Sequence, residues 1–321
     1  MPNSSLVVDL PTFGYSPSEE QRASLIADIQ VRFAAEIALA VRKGEPFLCL
    51  GLDSRDPLSD LCRWLERTVF DADAGGYTED VMQSEWSSYE DQCFFFLAYD
   101  IEGQDVAGSV RIITGTVGFG PVVKTVHDCL HMDAYAHFST RANTIDLTDR
   151  NVSFHPETGV VGSHRNSGST RLDRSFIESY HGMKPGEIIF DMATLVVRQP
   201  YRGEKSALHV AQLLYAGTWR AALRLGAHHG LAFVRVDLLS VWRDLLGMPW
   251  DDLAALGCSQ YFETDPYLSQ PVYINYTDLQ RLVSRALHTQ QAGLPSKLSK
   301  PELNFVGLMG APESDHLFVL W

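Results

Sequence analysis

No stretch of this chain approaches the ~18 consecutive apolar residues that a membrane helix needs. Residues 1–15 carry neither Lys nor Arg, and their apolar run Leu6-Val7-Val8 is too short for the core of a signal peptide. A cytoplasmic protein with no membrane partner is therefore expected. Basic charge is short: 26 Lys and Arg stand against 40 Asp and Glu, a formal net charge of −14. The overall basic footprint of a non-specific nucleic-acid binder is missing. An anionic membrane would repel such a chain. Cysteine is scarce and unpaired. Cys49, Cys62, Cys93, Cys129 and Cys258 lie far apart, with no C-x-x-C, so reduced thiols are expected. There is no Walker loop, no Gly-x-Ser-x-Gly elbow and no H-E-x-x-H. His127 and His131 are spaced to share a helix face beside Cys129 and Asp133. No further ligand can be named for them, and no metal is expected.

What is present is globular: 45% apolar and 21% charged residues. Ser18 and Gln21 form a capping-box pattern, and Leu25, Ile29, Phe33 and Ile37 recur at i, i+4. A helix is read there, closed by Lys43-Gly44. A strand at 47–52 and a second helix from Pro57, carrying Leu58, Leu61, Leu65 and Val69, come next. Two apolar runs, 94–100 and 106–113, flank an acidic Gly turn and read as an antiparallel hairpin. A helix near 122–132 precedes a polar segment, 139–186, with weak periodicity. So long a stretch without clear elements reads as a lid or a surface insertion.

Order returns with a strand at 187–197, a turn at 198–203 and a long helix at 206–225 with Gly226 past its end. A continuous apolar strand, 231–236, reads as central. A short helix at 242–246, a strand at 272–276 and a helix at 277–287 complete the core. The apolar run 317–321 reads as an edge strand. His228-His229 sits near a helix end, where histidine is electrostatically favourable. The run Phe94-Phe95-Phe96 reads as strand core. The fold class is α/β (α+β), a mixed central sheet flanked by helices. Its expected parts are an N-terminal helical extension (1–56), a catalytic domain (57–290, with 139–186 as the insertion) and a C-terminal tail (291–321).

The strand–turn–helix at 191–214 carries the strongest signal. A tight turn entering a helix aims free backbone N–H groups at one point, and the helix dipole adds positive charge. Arg202 and Lys205 add full charges, so the unit suits a phosphate. The stretch from Thr194 through Arg198-Gln199-Pro200-Tyr201-Arg202-Gly203 to Ser206-Ala207 resembles the thioester-binding turn of the GNAT acyltransferase superfamily. Arg202, Gly203 and Ala207 match that signature. Lys205 replaces its second glycine, and Pro200 stands one place late. Three further segments are similar to acyl-homoserine-lactone synthases and long-chain N-acyl amino acid synthases. These are Asp191 to Val197, Gly108-Ser109-Val110-Arg111-Ile112-Ile113 and Glu90-Asp91. Trp242 to Pro249 resembles a region near their last core strands. The likeness covers residues 63–288. Thr194 stands where that branch has arginine, and Asp191 where it has glutamate. Arg243 stands where many acetyl-coenzyme-A enzymes of the superfamily have tyrosine.

The resemblance implies a GNAT-like acyltransferase that moves an acyl group from a thioester donor to a small-molecule amine, an amino acid among the candidates. Acyl-CoA or the phosphopantetheine of an acyl carrier protein is the implied donor. Arg198, Arg202, Gly203, Lys205, Ser206 and Ala207 are the implied donor-binding residues. The absent tyrosine favours the carrier protein. Thioester chemistry then assigns roles. A backbone N–H near Val196 or Val197, freed by a bulge, would hold the carbonyl oxygen. Asp191 or Glu187 would take the amine proton. Arg111 would hold a substrate carboxylate. For Asp191 and Arg111 an ion pair inside the sheet is the competing expectation. Strand alternation sets Asp191 and Thr194 on opposite faces unless a bulge intervenes. Two rival readings keep the fold. One takes aminoacyl-tRNA as donor, against the net charge. The other is an inactive module that binds an acyl carrier.

Overall fold

A computed structural model describes residues 14–131, 146–147, 152–155, 160–163, 169–170, 173–202, 204–240, 243, 250–255, 259–260, 268–292 and 306–320. The capping box forms as read: Ser18 accepts from the Gln21 N–H, and the Gln21 side chain accepts from the Ser18 N–H at 2.7 Å. The single helix expected there is two, α1 (Glu19–Arg32) and α2 (Ala34–Lys43). The break falls at Phe33, whose ψ of 25° leaves the helical range. Gly44 ends α2 in the left-handed region (φ 74°), which a residue with a side chain adopts only with strain.

Strand β1 (Phe47–Asp53) leads to α3 (Ser59–Ala74), whose apolar side lies on the sheet. Helix α4 (Glu79–Trp86), not foreseen, is capped by Thr78. The hairpin is β2 (Cys93–Asp100) and β3 (Asp105–Thr116), and α5 (Lys124–His131) follows. Much of the expected lid lies outside the described residues. Four short strands within it, β4 (Asp146–Leu147), β5 (Val152–His155), β6 (Val160–Ser163) and β7 (Ser169–Thr170), pair in order as a second antiparallel sheet. Its last part holds α6 (Arg174–Tyr180), capped by Asp173.

The strand–turn–helix is β8 (Ile188–Val197), a single 3-10 turn at Gln199–Tyr201, and α7 (Glu204–Leu225). Strand β9 (Ala227–Arg235) starts four residues earlier than its apolar run implies. It incorporates the His228-His229 pair into the sheet. Then come α8 (Val236–Ser240), β10 (Asp251–Asp252), β11 (Ser259–Gln260), β12 (Leu268–Asn275), α9 (Tyr276–Gln291) and β13 (Phe318–Val319). The short helix expected at 242–246 lies, but for Arg243, outside the described residues.

The large mixed sheet runs β10-β12-β9-β8-β3-β2-β1-β13, with β11 also on β12. Strands β1, β2, β3 and β8 are antiparallel neighbours, while β8 and β9 are parallel, joined by the α7 crossover. The edge strand read at the chain's end is real and lies parallel to β1. Consequently the boundaries expected after 56 and 290 do not divide the sheet, because both flanking segments contribute strands to it. Helices α3 and α5 cover one face, with Leu61, Leu65, Ile189 and Leu231 beneath them. Helices α7 and α9 cover the other, with Phe190, Met192, Ala232 and Ile274. Gly108 lets β3 meet β8 and α7 closely: a Cβ there would lie 2.6 Å from the Val196 carbonyl oxygen.

Candidate active site

Strands β8 and β9 pair from Ile188–Ala227 to Met192–Ala232 and then part. At the parting, Ala193 is an extra residue in β8: Ile112 pairs with Met192 and Arg111 with Thr194. This bulge shifts the alternation. Asp191 and Thr194 therefore share the α3/α5 face, the condition the sequence left open, while Leu195 and Val197 join the α7 face.

The fork exposes backbone donors. The Arg198 N–H donates to the Ala107 carbonyl at 2.9 Å. Antiparallel alternation then turns the amides of Val196 and Thr194 toward β3, and those of Leu195 and Val197 toward the gap. Of the two backbone candidates, Val196 is consumed by the ladder and Val197 faces the fork. Leu195 joins it, and it was missed because the sequence does not say on which residue the bulge falls. The Val197 carbonyl is already taken, accepting from Arg202 Nε at 2.7 Å.

Beyond the fork the turn is ringed by paired charges. Arg202 also binds Asp73 at 2.6 Å, Arg198 binds Asp105 and donates to the Val106 carbonyl at 2.8 Å, and the Tyr201 hydroxyl donates to Asp100 at 2.9 Å. Burial and Asp100 push the Tyr201 hydroxyl above its ordinary pKa. Gly203 lies outside the described residues. Lys205, Ser206 and Ala207 fall in the first turn of α7, and their side chains also lie outside the described set.

On the α3/α5 face, Asp191 is fully buried and accepts from both the N–H and the hydroxyl of Thr125, each at 2.6 Å. It thereby anchors the N-terminus of α5. Burial raises its pKa to about 7 against those two bonds. Glu187, the other proton acceptor named, stands just before β8 at the far end of the paired stretch. Its carboxylate accepts from the Lys184 N–H at 2.7 Å and faces His229 Nε2 at 2.8 Å. The other ring nitrogen of His229 lies 3.1 Å from the Tyr273 hydroxyl. Burial lowers the pKa of His229. His228, its neighbour, is bulged and accepts from the Ile188 N–H.

Arg111 requires a correction. It was expected to hold a substrate carboxylate, and it holds this chain's own. Fully buried, it binds Glu66 through Nε and Nη2 (2.7 Å), Glu90 through Nη1 (2.9 Å), and the Tyr15 hydroxyl. Arg63 grips Glu90 from the other side at 2.7 Å and reaches Asp60, Ser59 and the Ser54 carbonyl. Burial works against ionisation of Glu90, but Arg111 and Arg63 overcome it and hold the pKa at about 2. Thr194 donates to Glu66 at 2.5 Å, tying β8 to this network. Glu66 was missed. Its signal was available: it lies four residues after Cys62 on the apolar side of α3, where a lone carboxylate needs a partner.

Arg243, in place of tyrosine, donates to the Trp250 carbonyl and to Asp252. His127 is half exposed beside Asp128, and the His131 side chain lies outside the described residues. Among the described residues no three His, Cys, Asp or Glu side chains gather as a metal ion needs. No helix among them is long and apolar enough to cross a membrane.

No family model matches the chain, and no curated protein matches it. Solved structures are similar to it. One is FeeM, an N-acyl amino acid synthase from uncultured soil microbes, with 11% identity over 72% of this chain and 91% of that one (TM-score 0.43). Another is BjaI, a CoA-dependent acyl-homoserine lactone synthase, with 13% identity over 82% and 99% (TM-score 0.36). A third is the spermidine/spermine N-acetyltransferase SpeG from Vibrio cholerae, with 9% identity over 74% and 96% (TM-score 0.36). Each is a protein that this chain is similar to, at an identity that leaves activity to the residues of the chain itself.

Proposed function

We propose that the protein is an N-acyltransferase of GNAT type, carrying an acyl group from a thioester to an amine. The observation that carries the reading is the fork: two parallel strands part at a bulge, and the gap is lined by backbone N–H groups of Leu195 and Val197. A helix N-terminus follows within seven residues. Such a gap accepts an extended thioester arm as if it were a missing strand, and the helix end suits its phosphate. The thioester carbonyl oxygen is held by an amide facing the gap. The amine nitrogen attacks the carbonyl carbon, the C–N bond forms, and the C–S bond breaks. The amine proton passes to Asp191, directly or through water. A pKa of about 7 suits a carboxylate to that exchange near neutral pH. The leaving thiolate takes a proton from solvent. Asp191 lies one residue before the parting, whereas Glu187 is four residues further back, so Asp191 is the favoured base.

Coenzyme A and carrier-protein thioesters both carry the phosphate that the turn would bind. The acceptor is an amine, with amino acids as the first class to screen. A second reading, a module that binds a thioester without transferring it, has one observation in its favour. Every polar group of Arg111, Glu66 and Glu90 is engaged within the chain. Purified protein incubated with acyl-CoA or acyl carrier protein and an amine panel separates the readings. Free thiol released in step with amide formation supports transfer, and thioester bound without release supports the second reading.

A further inference from the structure

Asp191 and Thr194 stand three positions apart on β8, and both side chains are tethered on the same face of the sheet. Thr125 of α5 donates to Asp191 through its N–H and its hydroxyl, each at 2.6 Å. Thr194 donates its own hydroxyl to Glu66 of α3 at 2.5 Å. In a regular strand, residues at an odd spacing lie on opposite faces. The two tethers can therefore be made together only if an extra residue stands between them, and Ala193 is that residue.

The anchor at Glu66 is itself fixed. Its carboxylate accepts from Nε and Nη2 of Arg111, the latter at 2.7 Å, and Arg111 stands directly opposite Thr194 on β3. Glu66 thus bridges the two residues that face each other across the ladder just beyond the bulge. Arg111 is held in turn by Glu90 and the Tyr15 hydroxyl, and the centroids of the Trp86 and Phe95 rings each lie 4.7 Å from its Cζ. Glu66, Arg111 and Thr194 are all buried. A hydrogen bond to a carboxylate paired with arginine is charge-assisted, roughly twice as strong as one between neutral groups.

The bulge decides which amides are free. Ahead of it, the Glu187 carbonyl accepts from the Val117 N–H at 2.9 Å, so odd-numbered residues turn their backbone groups toward β3. Past it, the Arg198 N–H donates to the Ala107 carbonyl, so even-numbered residues do. Without this switch the amides of Leu195 and Val197 would bond to β3, and those of Thr194 and Val196 would face the gap.

We infer that Glu66 and Thr194 are positioning residues for the donor's thioester carbonyl. Their hydrogen bond on one side of Ala193, with the Thr125–Asp191 pair on the other, holds the bulge in place and so aims the Leu195 and Val197 N–H groups into the fork. Both act through the backbone and not by contact with the donor. The inference rests on the acyl-transfer reading.

The test reads the carbonyl itself. S-acetyl phosphopantetheine, the arm common to coenzyme A and carrier-protein thioesters, is labelled with carbon-13 at the thioester carbonyl. Its stretching band is recorded by infrared spectroscopy, free and bound to the full chain, without amine. A hydrogen bond to the oxygen lowers the band, and wild type is expected to lower it. Thr194→Val, nearly the same in shape, should lose most of that lowering, and Thr194→Ser, which keeps the hydroxyl, should retain it. Urea midpoints check that each variant is folded. If Thr194→Val is not, Thr194→Cys, whose S–H is a weak donor, takes its place. A band lowered equally in wild type and in the variant without the hydroxyl overturns the positioning role and leaves the acyl-transfer reading standing. A wild-type band no lower than that of the free thioester, or no binding of the thioester, overturns both.

Discussion

On the α3 side of the sheet two buried arginines meet two buried glutamates, while on the α7 side the layer is apolar. The same strand, β8, supplies residues to both. Asp191 and Thr194 face the charges, and Met192, Leu195 and Val197 face the apolar layer. The difference shows a sheet acting as a partition. Under the proposed acyl transfer, the base that takes the amine proton would belong to the charged side.

The largest expected effect breaks the polar side at the base. Asp191→Asn keeps the shape and an acceptor for the Thr125 N–H, and should slow acyl transfer by ~10²–10⁴-fold. Initial rates at saturating thioester and amine measure it. A rate near wild type would leave Asp191 as the anchor of α5 alone.

Stability separates the two sides next. Arg111→Met leaves Glu66 in the interior without its arginine and Glu90 with Arg63 alone, and should cost about 3–5 kcal/mol. The urea midpoint reads this, with the slope checked for constancy. Ile274→Val, a deletion on the apolar side, should cost about 0.5–1.5 kcal/mol. Equal losses would remove the contrast between the faces.

The turn offers a smaller test. Arg202→Ala with Lys205→Ala should weaken binding of coenzyme A by ~1–3 kcal/mol, the worth of charge-assisted bonds. Unchanged affinity in calorimetry would move the phosphate elsewhere.

The pH dependence of folding sharpens the polar side from within. Asp191 titrates at about 7 when folded against an ordinary 3.8, so between those values the folded chain holds a proton that the unfolded chain has released. Its contribution is full below 3.8 and is lost as pH rises to about 7. Glu90 runs the other way, at about 2 against 4.5, and its contribution is lost as pH falls between those values. Asp191→Asn should flatten the first slope and Glu90→Gln the second, read as urea midpoints across pH. Thr125→Val, the mildest change, should cost about 1 kcal/mol and raise the Asp191 titration further.

How legible this was depended on how local each cause is. The capping box, the β2–β3 hairpin and the β13 edge strand were read correctly, since each is set by residues within a few positions of one another. Helices α4 and α6 escaped because they are short and their apolar residues are few. Caps at Thr78 and Asp173 mark them more than periodicity does. Strand β9 was shortened because His228, His229 and Gly230 do not look like a strand, yet β8 and β12 pair with His229 and Gly230. Asp191 was read either as a base or as one half of an ion pair inside the sheet; it is buried in the sheet, and the groups bonded to it are the N–H and hydroxyl of Thr125. The fate of Arg111 depended on Glu66, 45 residues away on another element: the pattern of α3 marks Glu66 as needing a partner but does not say which residue meets it.

The bulge at Ala193 carries one more implication, for the lengths of chain that inheritance can tolerate. It is a phase shift of one residue, and residues 194–197 depend on it for the side they occupy. Replacing the small Ala193 side chain disturbs one position. Deleting the residue would invert the four that follow, sending Thr194 into the hydrocarbon layer and Leu195 among the ions. Related chains should therefore vary in side chain at this point while keeping its count of residues fixed, and a library of single-residue deletions along β8 should show its sharpest loss of folded protein there.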